Sequence, residues 1–436
     1  MKKMAWFSPL GSVPCLVSTE FSRRFIREMA ERCEITLFIN DDDWRHCDDL
    51  RYEYDLPIYH YLRAAEINAR QHFDLFCYQL EDDQQCDFCL RSANIFPGFV
   101  FCHDISVSRI IESRFSHITT GVELNDELAA LHGAHAPLVG DYLVRRAPLT
   151  ALHTAFPMLI TSQLAQGVLV YCSDIFLPSE QKTSLMQTKL SFPHPIDKIT
   201  DDSIKGLLDH LSLDSTLPVV GFHYSEQQRS RYPIMLSACK MLIESTESKR
   251  FNLLLICNEE NAEQARRGLT ELALSIEQND IYLVTYNDAR ALAQLVYICD
   301  LFVANEFNPY HGLSLAARLS LENGISTIVS SPEINLEIFG PMVLRIAAGH
   351  GEDVALASAI SQQLDCGKKD RLAVRPGMSG RAFKESFLAI SNQLAGGLAK
   401  QYKAKVEALA QVENQYKDLF EPDRKDPINA MLKSVS

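Results

Sequence analysis

The residues best suited to chemistry stand just after apolar runs. His103 and Asp104 follow the run Gly98 to Cys102. An imidazole beside a carboxylate suits acid–base work, with the acid orienting the ring. The same histidine could simply end a strand through a hydrogen bond, and the same aspartate could cap the next helix. Arg229 and Arg231 follow a second run, Pro218 to Phe222. Guanidinium groups match phosphate, or they could be solvated surface charges. Gly312 and Ser314 open a helical stretch, whose first N–H groups would point at an anion. Gly11 and Ser12, in the loop Ser8 to Pro14, either let the backbone approach a phosphate or form an ordinary turn. Cys86 and Cys89 form a C-x-x-C pair, but no second pair stands at zinc spacing, so they read as packing residues and no metal is expected.

Those residues need a scaffold, and the chain is long enough for two or three domains. It has 436 residues, 47% hydrophobic and 22% charged, which is an ordinary globular balance. The net charge of −14 argues against nucleic acid or an anionic membrane as partner. Twelve cysteines are scattered through apolar stretches. They read as reduced, buried groups in a cytoplasmic protein. The opening MKKMAWFSPLGSVP reads as a first strand and not as a signal peptide. No run reaches the roughly 18 apolar residues of a transmembrane helix.

Strand and helix patterns alternate. Met4 to Phe7 is a strand, a helix follows with Phe21, Phe25, Ile26 and Met29 on one face, and Ile35 to Ile39 is the next strand. Phe73 to Tyr78, Gly98 to Cys102 and Gly167 to Tyr171 continue the series. Continuous apolar runs of this kind fit parallel strands covered on both faces. A polar, proline-punctuated stretch near 178–217 holds a short helix, Asp202 to Leu211. Strands then recur at Pro218 to Phe222, Phe251 to Cys257, Ile281 to Thr285, Leu301 to Ala304 and Ser326 to Ser330. Helices lie between them at Tyr232 to Ile243, Ala262 to Ile276 and Ala289 to Tyr297. The expectation is α/β: a Rossmann-like doubly wound domain over 1–195, a linker over 196–217, a second such domain over 218–380, and a helical tail over 381–436. Gly396-Gly397 suggests a break in that tail. The tail is either a solvated, mixed-charge helix or a packing surface across the domains or for a partner chain.

Five segments, in order, resemble the retaining glycosyltransferases of family 4, which have the GT-B fold. They are AWFSPLGSVP, FDLFCYQLEDD, FPGFVFCHDISV, CDLFVANEFNPYHGLSLAARLSLENGISTIVSS, and LEIFGPMVLRI with GEDVALASAI. The resemblance implies two Rossmann-like domains facing a cleft, with an acceptor-side first domain and a nucleotide-sugar donor bound by the second. It implies transfer to a bacterial surface glycan or a protein acceptor, with no cofactor and no obligatory metal. It places His103 near the donor sugar, the Arg229 and Arg231 pair on the diphosphate, and Glu337 at a position often acidic in relatives. Physically, such transfer needs the charge developing on the leaving diphosphate to be stabilised.

The sequence also departs from that pattern. Leu313 follows Gly312 where a glutamate is usual, and the helix continues Leu315, Ala316, Ala317, Arg318, while Glu306 precedes the loop. Cys15, Leu16 and Val17 fill the stretch where a second glycine is usual in the first loop. Glu81, Asp82 and Asp83 stand where relatives carry small and amide residues. Loss of a buried carboxylate weakens recognition of a hydroxyl. A second hypothesis is therefore a catalytically silent, glycosyltransferase-like subunit that binds a glycan, an acceptor or a partner enzyme. A nucleotide-sugar epimerase of the same architecture fits the motif order less well.

Overall fold

The structure is a computed structural model, and it describes residues 1–10, 16–41, 47–115, 160, 164, 166–172, 185–190, 199, 201–224, 231–245, 250–271, 280–305, 312–330, 343–347, 349–365 and 380–415. The chain divides into two compact units. One comprises Met1–His194 with Met378–Ser436, and the other Pro195–Gly377.

The first unit is built on β1 (Lys2–Phe7), β2 (Cys33–Ile39), β3 (Ile58–His60), β4 (Leu75–Leu80), β5 (Phe99–Cys102), β6 (Val168–Cys172) and β7 (Met186–Leu190). All pair in parallel, in the order β3-β2-β1-β4-β5-β6-β7. Its described helices are α1 (Val17–Met29), α2 (Asp48–Tyr54), α3 (Ala64–Gln71), α4 (Asp87–Ile95) and α5 (Ser108–Phe115). Every residue of β4 and β5 is buried. That follows from a parallel sheet covered on both faces. The apolar face of α1 seats Phe21, Phe25, Ile26 and Met29 on this sheet, with the Phe25 ring stacked on Trp6 at 4.1 Å. Several polar groups of this core bond one another: the Trp6 indole N–H donates to Ser22 Oγ at 3.1 Å, and the Ser22 hydroxyl lies 2.7 Å from that of Ser8.

The second unit repeats the plan. Its strands are β8 (Val219–His223), β9 (Asn252–Asn258), β10 (Ile281–Tyr286), β11 (Leu301–Ala304), β12 (Ser326–Val329) and β13 (Val343–Arg345). They too are parallel, in the order β10-β9-β8-β11-β12-β13. The helices are α6 (Asp201–Leu211), α7 (Tyr232–Glu244), α8 (Ala262–Glu271), α9 (Ala289–Tyr297), α10 (Leu315–Glu322) and α11 (Glu352–Asp365). One core joins β8, β9 and β11 to α7 and α11 through residues such as Leu236, Leu253, Val303 and Ile360.

Two expectations need correcting. The polar stretch near 178–217 contains a strand, since β7 is hydrogen-bonded to β6. The C-terminal helix α12 (Gly380–Gln415) runs unbroken through Gly396-Gly397. There the glycine serves proximity: a Cβ on Gly397 would lie 3.3 Å from Met186 Cε, so the missing side chain lets the helix lie against β7. The buried rings of Phe383 and Phe387 pin α12 to α1 and the first sheet. Among the described residues, no helix is long and apolar enough to cross a membrane.

Candidate functional site

In each sheet the strand order reverses between the first and fourth strands, at β1 and β4 and again at β8 and β11. Connections leave such a pair in opposite directions, which opens a crevice at the carboxyl ends of the strands. Ligands of open α/β sheets bind there.

At the first sheet, His103 follows β5. Its backbone N–H donates to Leu80 O at 2.8 Å and its Nε2 lies 2.7 Å from Gln79 Oε1. With the Gln79 carbonyl as acceptor, Nε2 carries the ring proton. The imidazole is 3% exposed and its edge meets Phe21 at 5.2 Å. Gln79 is fully buried, and its Nε2 has no hydrogen-bond partner among the described residues. Asp104 accepts the backbone N–H of Asp82 at 2.7 Å.

The acidic run after β4 now has a physical role, since each carboxylate terminates a helix or turn. Glu81 accepts the N–H of Ser18, in the first turn of α1, at 3.0 Å. Asp82 caps α5, accepting from Arg109 N–H at 2.7 Å and from the Ser106 hydroxyl at 3.0 Å. Asp83 accepts from Gln85 N–H at 3.0 Å. All three are buried. Helix amides with partial positive charge favour carboxylates in these places. The start of α1 therefore already holds a carboxylate, although the sequence suggested a phosphate contact nearby. Gly11 and Ser12 lie outside the described residues, as do Arg229 and Glu337.

At the second sheet, Arg231 immediately precedes α7. Its N–H donates to Asn305 O at 2.9 Å, which ties the start of α7 to the carboxyl end of β11. Asn305 is buried and locked in turn, accepting from the Ser330 hydroxyl at 2.7 Å. The Arg231 guanidinium pairs with the carboxylate of Glu352, the first residue of α11, and the Arg231 side chain stays 26% exposed. Gly312 and Ser314 lead into α10, and the Ser314 hydroxyl caps it by accepting Ala317 N–H at 3.2 Å. Arg318 on this helix is buried. His223 ends β8, with Nε2 2.8 Å from the Tyr286 hydroxyl.

The structure thus brings His103 and Asp104 to one sheet edge, and Arg231, Gly312 and Ser314 to the other. Sequence reasoning missed Asn305, Ser330, Glu352 and Gln79. Asn305 carried a usable signal, a polar residue closing an apolar run, as at His103. Cys86 and Cys89 are free, buried thiols, and burial pushes both well above the usual thiol range. Protonated thiols are poor metal ligands and poor nucleophiles.

No family model and no curated protein matches this sequence. Solved structures do match its fold. A glycosyltransferase from Rickettsia africae superposes with a TM-score of 0.54 at 11% identity, covering 90% of this chain and 98% of that one. Anabaena HepE in complex with UDP and glucose gives 0.53 at 12% identity, with 94% and 100% covered. Sucrose-phosphate synthase from Thermosynechococcus elongatus gives 0.50 at 14% identity, with 94% and 100% covered. At such identities the likeness is one of fold: two parallel-sheet α/β domains of the kind found in GT-B glycosyltransferases.

Proposed function

We propose that this chain is a glycosyltransferase that moves a sugar from a nucleotide-sugar donor to a bacterial surface glycan or a protein acceptor. The observation that carries the reading is Arg231, fixed by Asn305 where the order of the second sheet reverses, with part of its side chain accessible. As the sugar–phosphate bond breaks, negative charge grows on the diphosphate. A guanidinium held in place, together with the first amides of α10 behind Gly312 and Ser314, would stabilise that charge in the transition state more than in the ground state. The first sheet offers complementary chemistry. Its edge carries His103, whose imidazole suits a hydroxyl, and the negative charge of the buried carboxylates beside it disfavours a further phosphate. The proposal assigns donor binding to the second domain and acceptor binding to the first. It involves no metal or organic cofactor, and it places the reaction in the cytoplasm. Retention of configuration follows the family resemblance.

A second reading has specific support: Leu313 follows Gly312 where a hydroxyl-binding carboxylate would be usual, and Glu81 occupies the start of α1. On it, the chain is a silent subunit that binds a glycan or a partner enzyme, with α12 as a place for self-association or docking.

A thermal-shift panel of UDP, GDP, ADP and their sugars separates the two. A ligand at a hundred times its Kd adds about 2.7 kcal/mol to the folded state. The transferase reading expects one nucleotide to raise Tm clearly, and His103→Ala to abolish turnover while the protein still folds. No shift at millimolar concentration with any nucleotide sinks it and favours the silent subunit.

A further inference from the structure

Glu352 is a carboxylate buried in the first turn of α11. It is 1% exposed, yet one oxygen, Oε1, has no hydrogen-bond partner among the described residues. A buried carboxylate left half satisfied is costly, and an apolar pair of similar volume often serves stability as well. Its other oxygen, Oε2, receives two donors: the guanidinium of Arg231 and the N–H of Gly349 at 2.8 Å. Gly349 sits at φ +119, a conformation side chains rarely adopt, so the turn before α11 is specialised to present that N–H. Arg231 is thus held at both ends. Its backbone is tied to Asn305, and its guanidinium is tied to a carboxylate that a separate turn keeps in place.

We propose that Glu352 is a positioning residue for the diphosphate of the donor: it holds the Arg231 guanidinium at the carboxyl edge of the second sheet, where the phosphates would sit. This rests on the transferase reading above. The simpler role would be a staple between α7 and α11, but those helices already share another tie, in which the Ser237 hydroxyl donates to Asp353 at 2.9 Å. That tie supplies a control.

The two roles differ in sign. Removing a negative charge beside a phosphate tightens binding through electrostatics alone, whereas releasing a pre-placed guanidinium weakens it. The experiment is calorimetric titration of the full chain with UDP, GDP and ADP, each beside its parent nucleoside. Glu352→Ala is expected to cut affinity for the bound diphosphate about ten-fold, with nucleoside affinity changed less than about two-fold. Glu352→Gln keeps a carbonyl for the same two donors and is expected to stay within about two-fold of wild type for both ligands. Ser237→Ala is expected to change neither. Should Glu352→Ala fail to fold, Glu352→Asp keeps the charge but shortens the reach, and the same diphosphate-only loss is expected. Unchanged or tighter diphosphate binding in the Ala or Asp variant overturns the assignment. So does an equal loss for nucleoside and diphosphate, or a Gln variant as weak as Ala. If the wild type binds none of the three diphosphates, the transferase reading fails and this assignment falls with it. If the wild type binds and the variants do not differ from it, this assignment alone fails.

Discussion

His223 shows what a single half-buried group contributes. Its ring is hydrogen-bonded to Tyr286, and burial lowers its pKa from the ordinary value to about 4. In the unfolded chain the same imidazole titrates near 6.5. Below that pH the unfolded state takes up a proton that the folded state refuses until about pH 4. Stability is therefore complete above pH 6.5 and declines as pH falls through the window down to 4. Full conversion of the shift would give about 3 kcal/mol; the side chain is only part-buried, so a loss on the order of 1–2 kcal/mol is the expectation. Urea unfolding of wild type and His223→Gln at several pH values between 4.5 and 7.5 reads this directly. The variant should lose part of the acid slope, and an identical slope in both proteins removes His223 from the account. At this scale the sequence was legible where a polar residue closed an apolar run, as at His103. Glu352 was not legible, because its partner Arg231 is remote in sequence and meets it only through the packing of α11 on α7. The run Glu81-Asp82-Asp83 was visible but looked like a deviation. Its capping role depends on which helices start beside the end of β4, and topology settles that.

Elements built from long apolar runs were readable, because burial on both faces leaves no polar alternation to confuse with a helix. Three of the four edge strands were not: β3 and β13 have three residues each, and β7 is only partly apolar. Gly221 explains how the centre of the second sheet packs so closely. A Cβ there would lie 2.3 Å from Cys299 Sγ and 3.0 Å from Phe302 Cδ2. Both neighbours are buried, and the Cys299 thiol is engaged with Leu295 O at 3.3 Å. Gly221→Ala should therefore destabilise by about 1–3 kcal/mol through overpacking. The contact makes a sharper claim. Cys299→Ala removes the sulfur that clashes, so the double variant should be less destabilised than the sum of the two singles by on the order of 1 kcal/mol. Strict additivity in chemical denaturation would show that some other strain limits β8.

At the scale of the whole molecule, the second unit is an insertion in the chain of the first. The chain leaves after His194 and returns at Met378. The returning segment is structural: α12 places Phe387 at 4.8 Å from Phe25 and at 6.1 Å from both Phe99 and Phe101, and the ring is buried. These partners belong to α1 and β5, so residues from the two ends of the chain complete one core. The second unit has its own core, to which none of these rings contributes. Phe387→Ala should cost about 3–5 kcal/mol, as for other buried phenylalanines, and the loss should be confined. Amide hydrogen exchange in β1, β4 and β5 should accelerate toward the reduced stability of that unit, while β8, β9 and β11 keep their protection. Removal of α12 altogether should act in the same direction and further. Equal acceleration in both sheets would mean that the units unfold as one and that α12 stabilises the molecule as a whole. Unchanged exchange in β1 and β5 would mean that the aromatic contacts of α12 contribute little to the first core.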